Sequence, residues 1–166
     1  MDFEGGAMRL LKLFIIAMVL LTIQTSIKGV LDFSWGTPDL LMIFLITVSL
    51  LYGPVVGVWC GFALGVAHDV YSVNYLGAGA LAMSLVGYIA GFAEERVVRL
   101  GFIAKVMLLT VALLLRDMVY SLICGFEAEV VGYLLVSQFL PQCLYTLILG
   151  SLWFYFFKPK SLQTPL

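Results

Sequence analysis

Charge is what this sequence has least of. Asp, Glu, Lys and Arg together make up 11% of its 166 residues, and there is one histidine. Soluble domains carry about a quarter charged residues, so a water-soluble fold is excluded. Intrinsic disorder needs low hydrophobicity and high net charge. It is excluded by 63% hydrophobic residues and a formal charge of −1. No basic stripe of the kind a phosphate backbone demands is present, which excludes nucleic acid as a partner. Cysteine is sparse as well. Cys60, Cys124 and Cys143 are odd in number, lack CxxC spacing and lie inside apolar runs. They read as small buried hydrophobes, not as a disulfide framework or a zinc site. GxSxG, a Walker loop and HExxH are all missing. The sequence therefore assigns no catalytic, cofactor or metal residue. His68 beside Asp69 reads as a hydrogen-bonded or interfacial residue, and Glu94, Glu95, Glu127 and Glu129 as solvated turn charges.

Long apolar runs take up the rest, with a mean hydropathy of +1.09. A spanning helix needs about 20 predominantly apolar residues. The first candidate covers about 10–31. Its charged start resembles a signal peptide, but Gln24-Thr25-Ser26-Ile27-Lys28 offers no clean cleavage site, so a retained helix is expected. The uncharged stretch 40–67 would be about 42 Å long as one helix, too long for a hydrocarbon core of about 30 Å. Tyr52-Gly53-Pro54 divides it, because proline is disfavoured inside a helix and tolerated in its first turn. The expected helices are 10–31, 39–52, 54–70, 76–93, 101–124 and 130–157, the last kinked at Pro141, with a short tail 158–166. The fold class is thus an all-α membrane protein, one six-helix domain over 1–166.

Six crossings place both termini on one side. Arg9, Lys12, Arg96, Arg99, Lys105, Lys158 and Lys160 fall there, Lys28 lies opposite, and Arg116 sits within the fifth helix. The positive-inside rule makes the shared side cytoplasmic. Five crossings, with 39–70 as one helix, is the rival count, and charge alone separates the two only slightly. Trp153 to Phe157 precede Lys158, where an interfacial aromatic belt belongs.

Gly53, Gly57, Gly61 and Gly65 recur every four residues, and Gly87 and Gly91 repeat the spacing. Small residues so placed let helix backbones approach closely. The neighbour is either another helix of this chain or the transmembrane helix of a partner. Polar side chains gather in the outer half of the bundle: Asp39, Asp69, Arg116 and Asp117, with Gln24, Lys28 and Gln138 nearby. An intramembrane charge needs a partner. Adjacent helix residues do not face each other, so Arg116 is expected to clamp Asp39 or Asp69 rather than Asp117. The functional alternative is an outward-facing cavity or a contact with a polar group of a partner.

Taken in order, Thr37-Pro38-Asp39-Leu40-Leu41, Tyr52-Gly53-Pro54-Val55-Val56-Gly57, Gly61-Phe62-Ala63-Leu64-Gly65 through Asp69, Leu76-Gly77 and Gly87-Tyr88-Ile89-Ala90-Gly91 resemble the MreD family of rod shape-determining membrane proteins. His68 and the turn 71–74 depart from its pattern. The resemblance implies a non-enzymatic scaffold of the bacterial cell-wall elongation complex in the inner membrane. Its implied partners are an MreC-like single-span protein, a RodA-like glycosyltransferase, a class B penicillin-binding protein, the lipid bilayer and, indirectly, an MreB-like filament, with no cofactor. It also implies a fold similar to the substrate-binding subunits of energy-coupling-factor transporters. A vitamin-binding transporter subunit is the alternative function, and an intramembrane lipid-modifying enzyme a third.

Overall fold

The computed structural model describes residues 15–26, 38–71, 77–93, 101–125 and 139–156. They form five helices: α1 (Ile15–Ser26), α2 (Leu40–Tyr71), α3 (Ala78–Phe92), α4 (Phe102–Cys124) and α5 (Leu140–Phe156). Among the described residues the chain is all-helical. Leu40–Val70 and Phe102–Ile123 are long and apolar enough to cross a membrane.

The long helix α2 is not straight. Gly53 has φ 83° and ψ −177°, outside helical space, and Pro54 follows. An L side chain rarely adopts that φ, while Pro54 loses nothing as the first residue of a new helical run. The two arms, 40–52 and 54–71, fold back toward each other. A Cβ on Gly57 would lie 2.7 Å from Ser49 Oγ, although a straight helix separates residues 49 and 57 by about 12 Å. The expected separate helices 39–52 and 54–70 are therefore the arms of one hairpin-like element.

The first arm is the centre of the molecule. Residues 41–50 are buried without interruption, as a helix apolar on every side must be. A single cluster gathers Leu21 of α1, Leu41, Leu45 and Ile46 of this arm, Met83 and Val86 of α3, Leu109 and Leu113 of α4 and Phe154 of α5. Helix α4 turns inward a stripe at four-residue spacing, Lys105, Leu109, Leu113, Asp117 and Ser121. On α5 the buried stripe is Thr146, Gly150 and Phe154. Gly150 is small because Leu109 and Ile43 close over it.

The described part of the last helix opens with a π-helical Phe139 and continues as Leu140–Phe156, with Pro141 near its described start. The segment 130–138 of the expected sixth helix lies outside the described residues, as do Lys28, Gln138, the Glu94–Arg99 turn and Glu127 and Glu129.

Candidate functional site

The N-terminus of α2 starts inside the bundle, and its free amides need acceptors. Asp39 is the N-cap. Its Oδ1 accepts from Met42 N at 3.2 Å, and Gln24 Oε1 of α1 accepts from Leu41 N at 3.2 Å. Gln24 Nε2 turns back to Asp39 Oδ1 at 3.5 Å. From α5, Thr146 Oγ1 accepts from Asp39 N at 2.9 Å and donates to Gln142 O. Arg116 of α4 completes the layer. Its Nη1 donates to Asp39 Oδ2, while Nε and Nη2 donate to Asp117 Oδ1 at 2.8 and 2.6 Å. Four helices are thus tied at one level by side chains only 1% (Asp39), 6% (Asp117) and 12% (Arg116) exposed. Two carboxylates face one guanidinium, and the partial positive charge of the α2 N-terminus offsets the excess.

The structure places Arg116 on Asp39, one of its two expected partners. It corrects the expectation for Asp117. The Cα–Cβ directions of neighbours on a helix diverge, but the long arginine stem curls back and brings the Nε–Nη2 edge onto the adjacent carboxylate. It also removes Asp69 from the cluster. Asp69 is 1% exposed, and its Oδ2 accepts from Gly77 N at 2.9 Å and Ala80 N at 3.1 Å. Gly77 stands at the N-cap of α3 with φ 99° and has no side chain to cap with. The second arm of α2 supplies the missing acceptor. His68 Nδ1 is 3.9 Å from Asp69 Oδ1, beyond hydrogen-bond range. Thr146 and Gln142 are members of the Asp39 layer that sequence reasoning missed. Their four-residue spacing with Gly150 was the available signal.

Gly57, Gly61, Gly65, Gly87 and Gly91 come together in one seam between the second arm of α2 and α3. A Cβ on Gly61 would lie 2.7 Å from the Met83 carbonyl carbon, one on Gly65 2.6 Å from Ala80 N, and one on Gly87 2.6 Å from the Gly57 carbonyl carbon. A Cβ on Gly91 would lie 2.5 Å from Pro54 N. The close neighbour of the glycine stripe is therefore a helix of this chain. The stripe stays on α3 along its length because the two helices run as a close-packed pair, the most extensive contact among the described helices. On the outer flank of this pair Trp59 and Phe92 are 70% and 74% exposed.

Several hydroxyls in the helices are satisfied locally. Thr47, Ser49, Ser84 and Thr110 each donate to a carbonyl one turn back. Thr47 Oγ1 also accepts from Trp153 Nε1 at 3.2 Å, at the floor of an apolar groove of about 680 Å³. The groove runs along the first arm of α2 between α1 and α5, lined by Leu20, Phe44, Leu51, Leu152 and Phe156 among others. Among the described residues no three His, Cys, Asp or Glu side chains are placed to hold a metal ion.

An apolar helical bundle that buries the Arg116–Asp39–Asp117 cluster between its helices has the character of an integral membrane protein. Comparison with known families gives the particular one: the family described as rod shape-determining protein MreD matches residues 1–159, and the chain belongs to it. It is thus a rod shape-determining protein of the inner membrane, in a shape-determining structural family. No curated protein and no solved structure matches the chain.

Proposed function

We propose that this chain is a non-enzymatic scaffold of the cell-wall elongation complex. It crosses the membrane six times with both termini cytoplasmic and holds an MreC-like single-span partner beside a RodA-like glycosyltransferase and a class B penicillin-binding protein. An MreB-like filament joins indirectly. Family membership carries this reading. The engagement of the buried charges within the chain supports it, because the cluster is used to join helices. In lipid there is no hydrophobic drive between helices, so docking depends on shape and close dispersion contact. The glycine seam is taken up internally, which leaves the groove on the first arm of α2 as the concave face for a partner helix. From Leu40 to Tyr52 it extends about 18 Å, or a little over three helical turns.

A photo-cross-linking residue at Leu152, which lines the groove and is 54% exposed, tests the docking face in native membranes. Ile103 on α4, 72% exposed, is the control. The expected result is a cross-link to a single-span protein from position 152 and none from 103. Equal labelling from both positions, or cross-links to lipid alone, would reject the groove. Rounded, wall-defective cells on depletion are expected of the scaffold; rod-shaped cells would reject it.

A further inference from the structure

The groove along the first arm of α2 is lined by aliphatic and aromatic side chains, and an indole N–H is fixed at its floor. Trp153 Nε1 of α5 donates to Thr47 Oγ1 of α2 at 3.2 Å. Thr47 gives its own proton to Ile43 O, one turn back, at 2.7 Å. Its oxygen therefore serves the indole as an acceptor, and the direction of the contact is set. Thr47 is 7% exposed, whereas Trp153 is 45% exposed and lines the groove with Phe44, Leu149 and Leu152. The N–H edge of the ring is tied down, and much of the rest of the side chain is open.

An indole N–H without an acceptor is costly in apolar surroundings. Thr47 meets that need inside the groove. Without its oxygen the ring gains by turning to the headgroup level, where tryptophans settle in membranes. The contact thus keeps a large, stiff side chain on the groove wall. Tryptophans in desolvated pockets are among the residues that carry most of the binding energy of an interface. The dimensions of the groove suit a helix. About 680 Å³ along about 18 Å gives a mean section of about 40 Å², up to half that of a helix with its side chains. One side of a docked helix is then enclosed, and the other is left to lipid.

We infer that Thr47 is a positioning residue for Trp153, and that Trp153, held in this way, is the anchor against which the transmembrane helix of the partner packs. This rests on the scaffold reading and assigns the residues of its docking face that carry the contact.

The test titrates the full chain, in neutral detergent micelles, with the purified MreC-like single-span protein and follows the complex by native mass spectrometry. Trp153→Leu should weaken binding at least about tenfold, as the loss of an anchor does. Thr47→Val removes the acceptor and should weaken binding about fivefold, the effect of one neutral hydrogen bond. Thr47→Ser keeps the oxygen and should bind as the unaltered chain does. Trp153→Phe keeps a ring but has no N–H, so adding Thr47→Val to it should cost nothing further. A general loss of packing at Thr47 would add to the effect of Trp153→Phe instead. Undiminished binding by Thr47→Val, or additive losses in that double variant, would overturn the positioning role. Undiminished binding by Trp153→Leu would overturn the anchor. No binding by the unaltered chain would overturn the scaffold reading, and this inference with it.

Discussion

Arg116 holds two carboxylates from two helices, and neither has water to fall back on. Breaking a buried pair from one side costs about 3–5 kcal/mol, because the abandoned charge stays buried. Arg116→Leu should therefore strip most folded protein from the membrane, read as the monodisperse fraction in size-exclusion chromatography. Adding Asp39→Asn should restore part of it, since one stranded charge is then removed; no recovery would contradict the Arg116–Asp39 contact. Asp69 has a smaller task. Asp69→Ala removes the acceptor for two amides of the α3 N-terminus and should cost about 1 kcal/mol, the usual value of an N-cap, measured as a lowered unfolding temperature. The need of Arg116 for a carboxylate was legible in the sequence. Which acid it takes was not, since Asp39 and Asp69 both stand at helix ends and both are plausible by pattern. The side chain of Asp69 is claimed by Gly77, a residue whose need for an outside cap arises only once α3 lies beside it.

At the scale of the element, the Gly53 break converts one overlong apolar run into two arms. Gly53→Ala forces a Cβ into a positive φ with extended ψ, at about 1–3 kcal/mol, and should lower the unfolding temperature. Gly61→Leu meets the backbone carbonyl of Met83, which cannot move aside as a flexible side chain would. A cost of about 1–3 kcal/mol is expected for such overpacking, again read by thermal unfolding, with Phe102, on the exposed face of α4 and 44% exposed, as a position outside the seam. An unchanged unfolding temperature for Gly61→Leu would deny the seam. The glycine spacing was legible as a close-approach device. The identity of the neighbour was not, because four-residue spacing describes one surface and says nothing of what meets it.

Among the described residues the first arm of α2 lies at the centre, with α1, α3, α4 and α5 packed against it. The outward surfaces are apolar, from Trp59 and Phe92 to Ile103 and Met118, as a lipid-facing exterior requires. The proposed six crossings with cytoplasmic termini carry an expectation at this scale. A reporter fused at residue 1 and another fused after residue 166 should both read out on the cytoplasmic side; an external signal from either one rejects the count.

Composition and apolar run length were enough to establish membrane residence, helical class and the division at Gly53, because these follow from local backbone preference and from the cost of placing polar groups in hydrocarbon. The order of short motifs was enough to point to the family. The pairing of Arg116 with Asp39 and Asp117, the capping of α3 by Asp69 and the closure of the glycine seam by α3 depend on which surfaces meet. Contacts between residues far apart in the chain, such as positions 39 and 116, are set by packing of the whole bundle, and no local pattern encodes them.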